Sequence, residues 1–241
     1  MPDNQIIPIA GFSEPFSSIT HLLAAGIFFV LGFIIMSRGR GHAGRVFALG
    51  VFSFSIVFLL AMSGVYHLLE PGGTARAVLQ RLDHAGIFFL IAGTFTPIHG
   101  LLFTRSLRWG ILLFIWVVAI TGITLKSIFF RDIVEWFSLT LYLGMGWVGA
   151  LTGIVLYRRF RFRFIKYLLL GAVAYTIGAL LEYMRYPVLI EGVIGPHELF
   201  HVFVLLGIIF HFMFVFQFSS FPVFQFARPG SIRLDQGGWQ M

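Results

Sequence analysis

Gly195-Pro196-His197-Glu198-Leu199-Phe200-His201, followed by a long apolar run over 202–218, is the stretch on which the reading of this chain turns. These seventeen residues, apolar except for His211 and Gln217, follow a Gly-Pro start and read as a helix that enters a bilayer. Pro196 sits at the first helical position, where a missing N–H costs nothing. His197 and His201 are four residues apart, which stacks two imidazoles on one face, one turn apart, within reach of a single ion. Ionisable groups at the end of a membrane helix are expensive and therefore point to function.

Similar apolar runs recur through the rest of the 241 residues. The chain is 58% hydrophobic and 11% charged, with a mean hydropathy of +0.91, whereas water-soluble domains carry about 25% charged residues. At about 20 apolar residues per crossing, the sequence predicts spans over 17–36, 46–69, 82–103, 108–125, 133–156, 164–184 and 196–218. The expectation is an all-α, polytopic membrane protein, a single seven-transmembrane helix bundle over 1–241 with no room for a separate soluble domain. An acidic start without a basic n-region predicts no cleavable signal peptide.

The net charge of +7 does not point to nucleic acid, because the basic residues lie in short segments between apolar runs. Twelve of the 17 Lys and Arg fall on one side of the predicted bundle, among them Arg38, Arg40, Arg158, Arg159, Arg161 and Arg163. The positive-inside rule then places the C-terminus in the cytoplasm and the N-terminus outside. The chain has no cysteine, so any metal must be held by His, Asp or Glu.

On the N-terminal side of that topology, three polar features reach a similar depth. Ser63 and His67 close the second span, again four apart. Asp83 opens the third, and His197 and His201 open the last. Three neutral imidazoles with one open position are a ligand set of catalytic zinc. Asp83 could orient an activated water and take its proton, and Ser63 could serve beside the metal or hydrogen-bond a substrate carbonyl. A closed structural zinc with Asp83 as fourth ligand is the alternative. His197-Glu198-Leu199-Phe200-His201 also spells the H-E-x-x-H pattern of metalloproteases, with Glu198 as base, but no third-ligand motif follows it. Of the other histidines, His21 is expected to brace the site, His84 to lie at the interface, His99 to face water or headgroups, and His211 to hydrogen-bond inside the bundle.

Ser63-x-x-x-His67, Asp83 and His197-x-x-x-His201, with the segments 82–97 and 197–203 around them, resemble the haemolysin III group of the progestin and adiponectin receptor superfamily. The resemblance runs from Glu14 to about Phe216, although Ser17 stands where that group carries Asn. It implies a seven-helix bundle with zinc on His67, His197 and His201, and a water-contacting role for Asp83. It also implies ceramidase-like hydrolysis of lipid amides or esters, with membrane lipid as partner. The other functions consistent with the sequence are a receptor-like or membrane-homeostasis regulator with structural zinc, and a haemolysin. Against a pore, the polar residues cluster at one end of the helices instead of following one through its full depth.

Overall fold

Each apolar run of the sequence becomes a helix, because in lipid only an element that satisfies its own backbone hydrogen bonds can cross. The computed structural model describes residues 6–9 and 11–220. Among these residues the elements are α1 (Pro15–Ser37), α2 (Ala43–Leu68), α3 (Thr74–Leu102), α4 (Arg105–Ile128), α5 (Glu135–Met184) and α6 (Pro196–Phe218). All six are long and apolar enough to span a membrane. Large apolar side chains stand exposed along their outer faces, for example Leu23, Ile27 and Val30 on α1 and Leu113 on α4. A surface of this kind is stable only against lipid or a partner.

The element count corrects the sequence expectation of seven separate helices. The stretches expected at 133–156 and 164–184 are joined in the 50-residue α5, whose run is interrupted only at Arg161, with φ 66° and ψ 174°. The basic segment between them consists of residues that tolerate helix well, so helical geometry runs up to the break from both sides. Residues from both halves of α5, such as Tyr142 and Thr152 before the break and Tyr175 and Glu182 after it, line the same cavity. The two halves therefore lie side by side. α3 begins at Thr74, eight residues ahead of the expected Leu82, so Asp83 lies in its third turn and not at its start.

Consecutive helices α1 to α4 pack in order, the second half of α5 packs on α6, and α6 returns to α1. Close approach requires glycine at some crossings. A Cβ on Gly64 of α2 would come within 2.7 Å of Leu22 Cγ and 3.1 Å of the Leu22 backbone nitrogen on α1. Just there, Ser18 Oγ donates to Gly64 O at 2.8 Å. One apolar core joins α1, α2, α3, the later part of α5 and α6, and a smaller one joins α3, α4 and the early part of α5. Between the two cores lies a cavity of about 480 Å³.

Candidate metal centre

The C-terminal end of α2 and the N-terminal end of α6 meet at one end of that cavity. His67, His197 and His201 come together there, each offering a nitrogen within 4.8 Å of the others. His197 Nε2 is 3.4 Å from His67 Nε2 and 3.1 Å from His201 Nε2. The four-residue spacing on α6 brings its own two rings together. His67 arrives from α2 because the Gly64–Leu22 contact pins that helix against α1 one turn below.

Each of the three rings is also held at its other nitrogen, by a different partner. His67 Nδ1–H donates to the Glu14 carboxylate, which is also bound by Arg76. His197 Nδ1–H donates to Glu182 Oε1 at 3.2 Å. His201 Nδ1 lies 3.0 Å from Nε2 and 3.2 Å from Nδ1 of His21. With all three Nδ1 positions engaged, the three Nε2 atoms are left to converge. Outer partners of this kind fix tautomer and ring orientation in metal sites. The cluster is close enough to hold one metal ion, with imidazole nitrogen as the donor type.

Glu14 is positioned by the lead-in to α1. Its backbone N–H donates to His67 O at 3.0 Å, and Ser13 N–H to Leu68 O at 3.2 Å, so the segment runs alongside the end of α2. Burial pushes the Glu14 carboxyl up, but the hydrogen bonds and charges of His67 and Arg76 outweigh it and hold the group at about 2, down from 4.5. Glu14 is therefore an anion at neutral pH. Nothing in the local sequence around Glu14 or Glu182 ties either one to an imidazole. Both lie far along the chain from the ring they hold, and only the packing of α1 and α5 brings them in.

Asp83 and Ser63 line the cavity together with His21, His197 and His201. His67 is 1% exposed and sits behind this surface. The Glu198 carboxyl of the H-E-x-x-H pattern turns back on the start of its own helix. Its Oε2 accepts the Gly195 N–H at 2.9 Å, capping the start of α6, and its Oε1 faces Ser17 Oγ at 3.4 Å. Ser17, in the position where Asn was noted as usual, thus still reaches the α6 start.

The remaining histidines separate in two directions. His21 braces His201, and His211 Nε2–H donates to Leu168 O at 3.2 Å, both inside the bundle. His84 does not point out to an interface: it lines the cavity, donates from Nδ1 to Gln80 O at 2.8 Å and packs on Phe130. His99, expected at water or headgroups, is buried between Phe95 and Phe103. Its two nitrogens are satisfied by Leu107 O and Thr152 Oγ1, both at 2.9 Å. A hydrogen-bonding partner on a later helix is what allows it to be buried, and spacing within α3 carries no sign of that partner.

A family model described as haemolysin-III related matches residues 11–212. Among similar sequences, Hemolysin-3 of Bacillus cereus is 31% identical over 193 residues, covering 79% of this chain and 84% of that protein. The Hemolysin-3 homolog of Bacillus subtilis (strain 168) is 28% identical over 174 residues, covering 72% and 78%.

Proposed function

The chain belongs to the haemolysin-III-related family, and on that premise we propose that it is a zinc-dependent membrane hydrolase of lipid amide or ester bonds, ceramidase-like in its chemistry. The observation that carries this reading is the convergence of three Nε2 atoms beside a largely apolar cavity. Zinc–nitrogen bonds of 2.0–2.1 Å in a tetrahedral arrangement set ligand nitrogens about 3.3 Å apart, against 3.4 and 3.1 Å here. With nitrogen donors and a hydrogen-bonded Nδ1 on every ring, the residues present fit zinc. Bound at His67, His197 and His201, zinc would supply Lewis acidity, polarising a carbonyl and making water nucleophilic near neutral pH.

The chain's own residues do the rest. A carboxylate oxygen of Asp83 accepts the proton of the attacking water and returns it to the leaving amine or alkoxide. Ser63 Oγ–H donates to the substrate carbonyl and holds it in register. The walls of the cavity, including Leu90, Ile91, Ile98, Leu168 and Val204, shelter an acyl chain. Its volume of about 480 Å³ falls within the 300–1,000 Å³ typical of small-molecule sites. In the membrane, the break at Arg161 divides α5 into two crossings, giving seven in all. The excess of Lys and Arg at the end opposite the imidazoles sets the C-terminus in the cytoplasm of a bacterial inner membrane.

The experiment is metal analysis and a hydrolysis assay on the purified protein, with ceramides and phospholipids as substrates, for wild type and Asp83→Asn. The reading predicts that Asp83→Asn keeps its metal and releases about 10²- to 10⁴-fold less fatty acid per unit time. A second reading has one observation in its favour. The imidazole network ties α1, α2, α5 and α6 together, so the metal could serve as a staple in a regulatory protein. Metal retained with no turnover in either protein would favour that reading.

A further inference from the structure

The cavity has a second polar end. His211 lies ten residues beyond His201 on α6, about 15 Å further along the helix, and lines the same cavity together with Tyr175 of α5. Each ring is seated against a glycine of the opposite helix. A Cβ on Gly171 would fall 2.4 Å from His211 Cδ2, and one on Gly207 would fall 2.4 Å from Tyr175 Cε1. The two rings meet edge-on with centroids 5.3 Å apart.

Their polar atoms are left over. His211 Nε2–H is spent on Leu168 O, so Nδ1 carries a lone pair. That Nδ1 and the Tyr175 hydroxyl are both buried without a hydrogen-bond partner among the described residues. Other polar side chains on the same walls are not in this state, since Thr94 and Thr176 turn their hydroxyls back to Leu90 O and Ala172 O at 2.8 Å. A buried donor and a buried acceptor without partners, on two touching residues that line one cavity, call for a group that offers the complement of each. A hydroxyl does so alone, accepting from Tyr175 O–H and donating to His211 Nδ1. A carbonyl or carboxylate would satisfy Tyr175 and leave the imidazole lone pair facing another acceptor.

We propose that Tyr175 and His211 form a distal subsite for a hydroxyl carried in the middle of an acyl chain, so that mid-chain hydroxylated acyl lipids are a preferred ligand class. This rests on the reading that the cavity takes an acyl chain with its polar end at the imidazoles, and is independent of whether hydrolysis follows. A mid-chain hydroxyl entering an apolar pocket with no partner would lose affinity by desolvation, so the sign of its effect is informative.

The test is displacement of a fluorescent fatty acid from the purified, zinc-loaded full-length protein in detergent. The competitors are a long-chain fatty acid, its mid-chain hydroxy derivative and its α-hydroxy derivative. The mid-chain derivative is expected to bind at least about fivefold tighter than the unsubstituted acid, with no such gain for the α-hydroxy acid. In Tyr175→Phe, checked for retained metal and unchanged melting, that preference is expected to collapse towards unity. Equal binding of the mid-chain and unsubstituted acids by wild type would mean that water occupies the subsite; it would overturn the inference while leaving the acyl-binding cavity intact. A preference that survives in Tyr175→Phe overturns it equally. If none of the acids binds, the acyl-cavity reading fails and this inference with it.

Discussion

Removing the carboxylate of Glu14 should weaken metal binding more than removing that of Glu182, although each holds the Nδ1–H of one imidazole. Partners of this kind are worth 10- to 100-fold in metal affinity, or about 1.4–2.7 kcal/mol. His67 and Glu14 have side-chain exposures of 1% and 21%, against 39% and 26% for His197 and Glu182. Water can replace Glu182 at the exposed imidazole but cannot reach His67 Nδ1, so Glu14→Ala leaves a buried donor unpaired and Glu182→Ala does not. Glu14→Ala should therefore lie near the 100-fold limit and Glu182→Ala near tenfold or below. Glu14→Gln keeps an acceptor for Nδ1–H but loses the charge facing His67 and Arg76, and should fall between them. The assay is competition for zinc against a chromophoric chelator at fixed pH and detergent. An affinity for Glu14→Ala within about twofold of wild type, or a larger loss for Glu182→Ala, would refute the reasoning.

Further outcomes follow from the same contacts. Gly64→Ala drives a Cβ into Leu22 at the α1–α2 crossing and should cost about 1–3 kcal/mol, read as a lower melting temperature. Glu198→Gln replaces the carboxyl that accepts the Gly195 N–H with an amide but touches none of the converging nitrogens. It should lower stability by about 1 kcal/mol and leave turnover within a fewfold, whereas a metalloprotease-type base would lose activity outright. Reporters fused at the C-terminus should read cytoplasmic; activity only on the outer face would reverse the assigned orientation.

What could be read from the sequence follows from how local each signal is. The four-residue spacing of His197 and His201 is a property of one helix, and it carries directly into the α6 pair. His67 could be placed with them because alternating crossings fix which helix ends share a depth. The outer partners could not be read in this way. Glu14 reaches His67 through a short backbone pairing ahead of α1, and Glu182 reaches His197 from a helix set by the break at Arg161. The local pattern was also open to misreading. H-E-x-x-H places Glu198 where a base would stand, yet at the third position of a helix that starts at Pro196 the carboxylate turns back to cap Gly195. Basic residues between two apolar runs suggested a loop at 157–163, and the chain there stays helical on both sides of a single residue.

Three imidazoles from α2 and α6 are proposed to hold one metal ion through Nε2. X-ray absorption at the zinc edge of the purified, zinc-loaded protein tests it most directly. One zinc per chain is expected, with three imidazole nitrogens at about 2.0–2.1 Å and a lighter oxygen shell, and that signature is lost in His67→Ala. A spectrum with fewer than three imidazoles, or one left unchanged by His67→Ala, would contradict it.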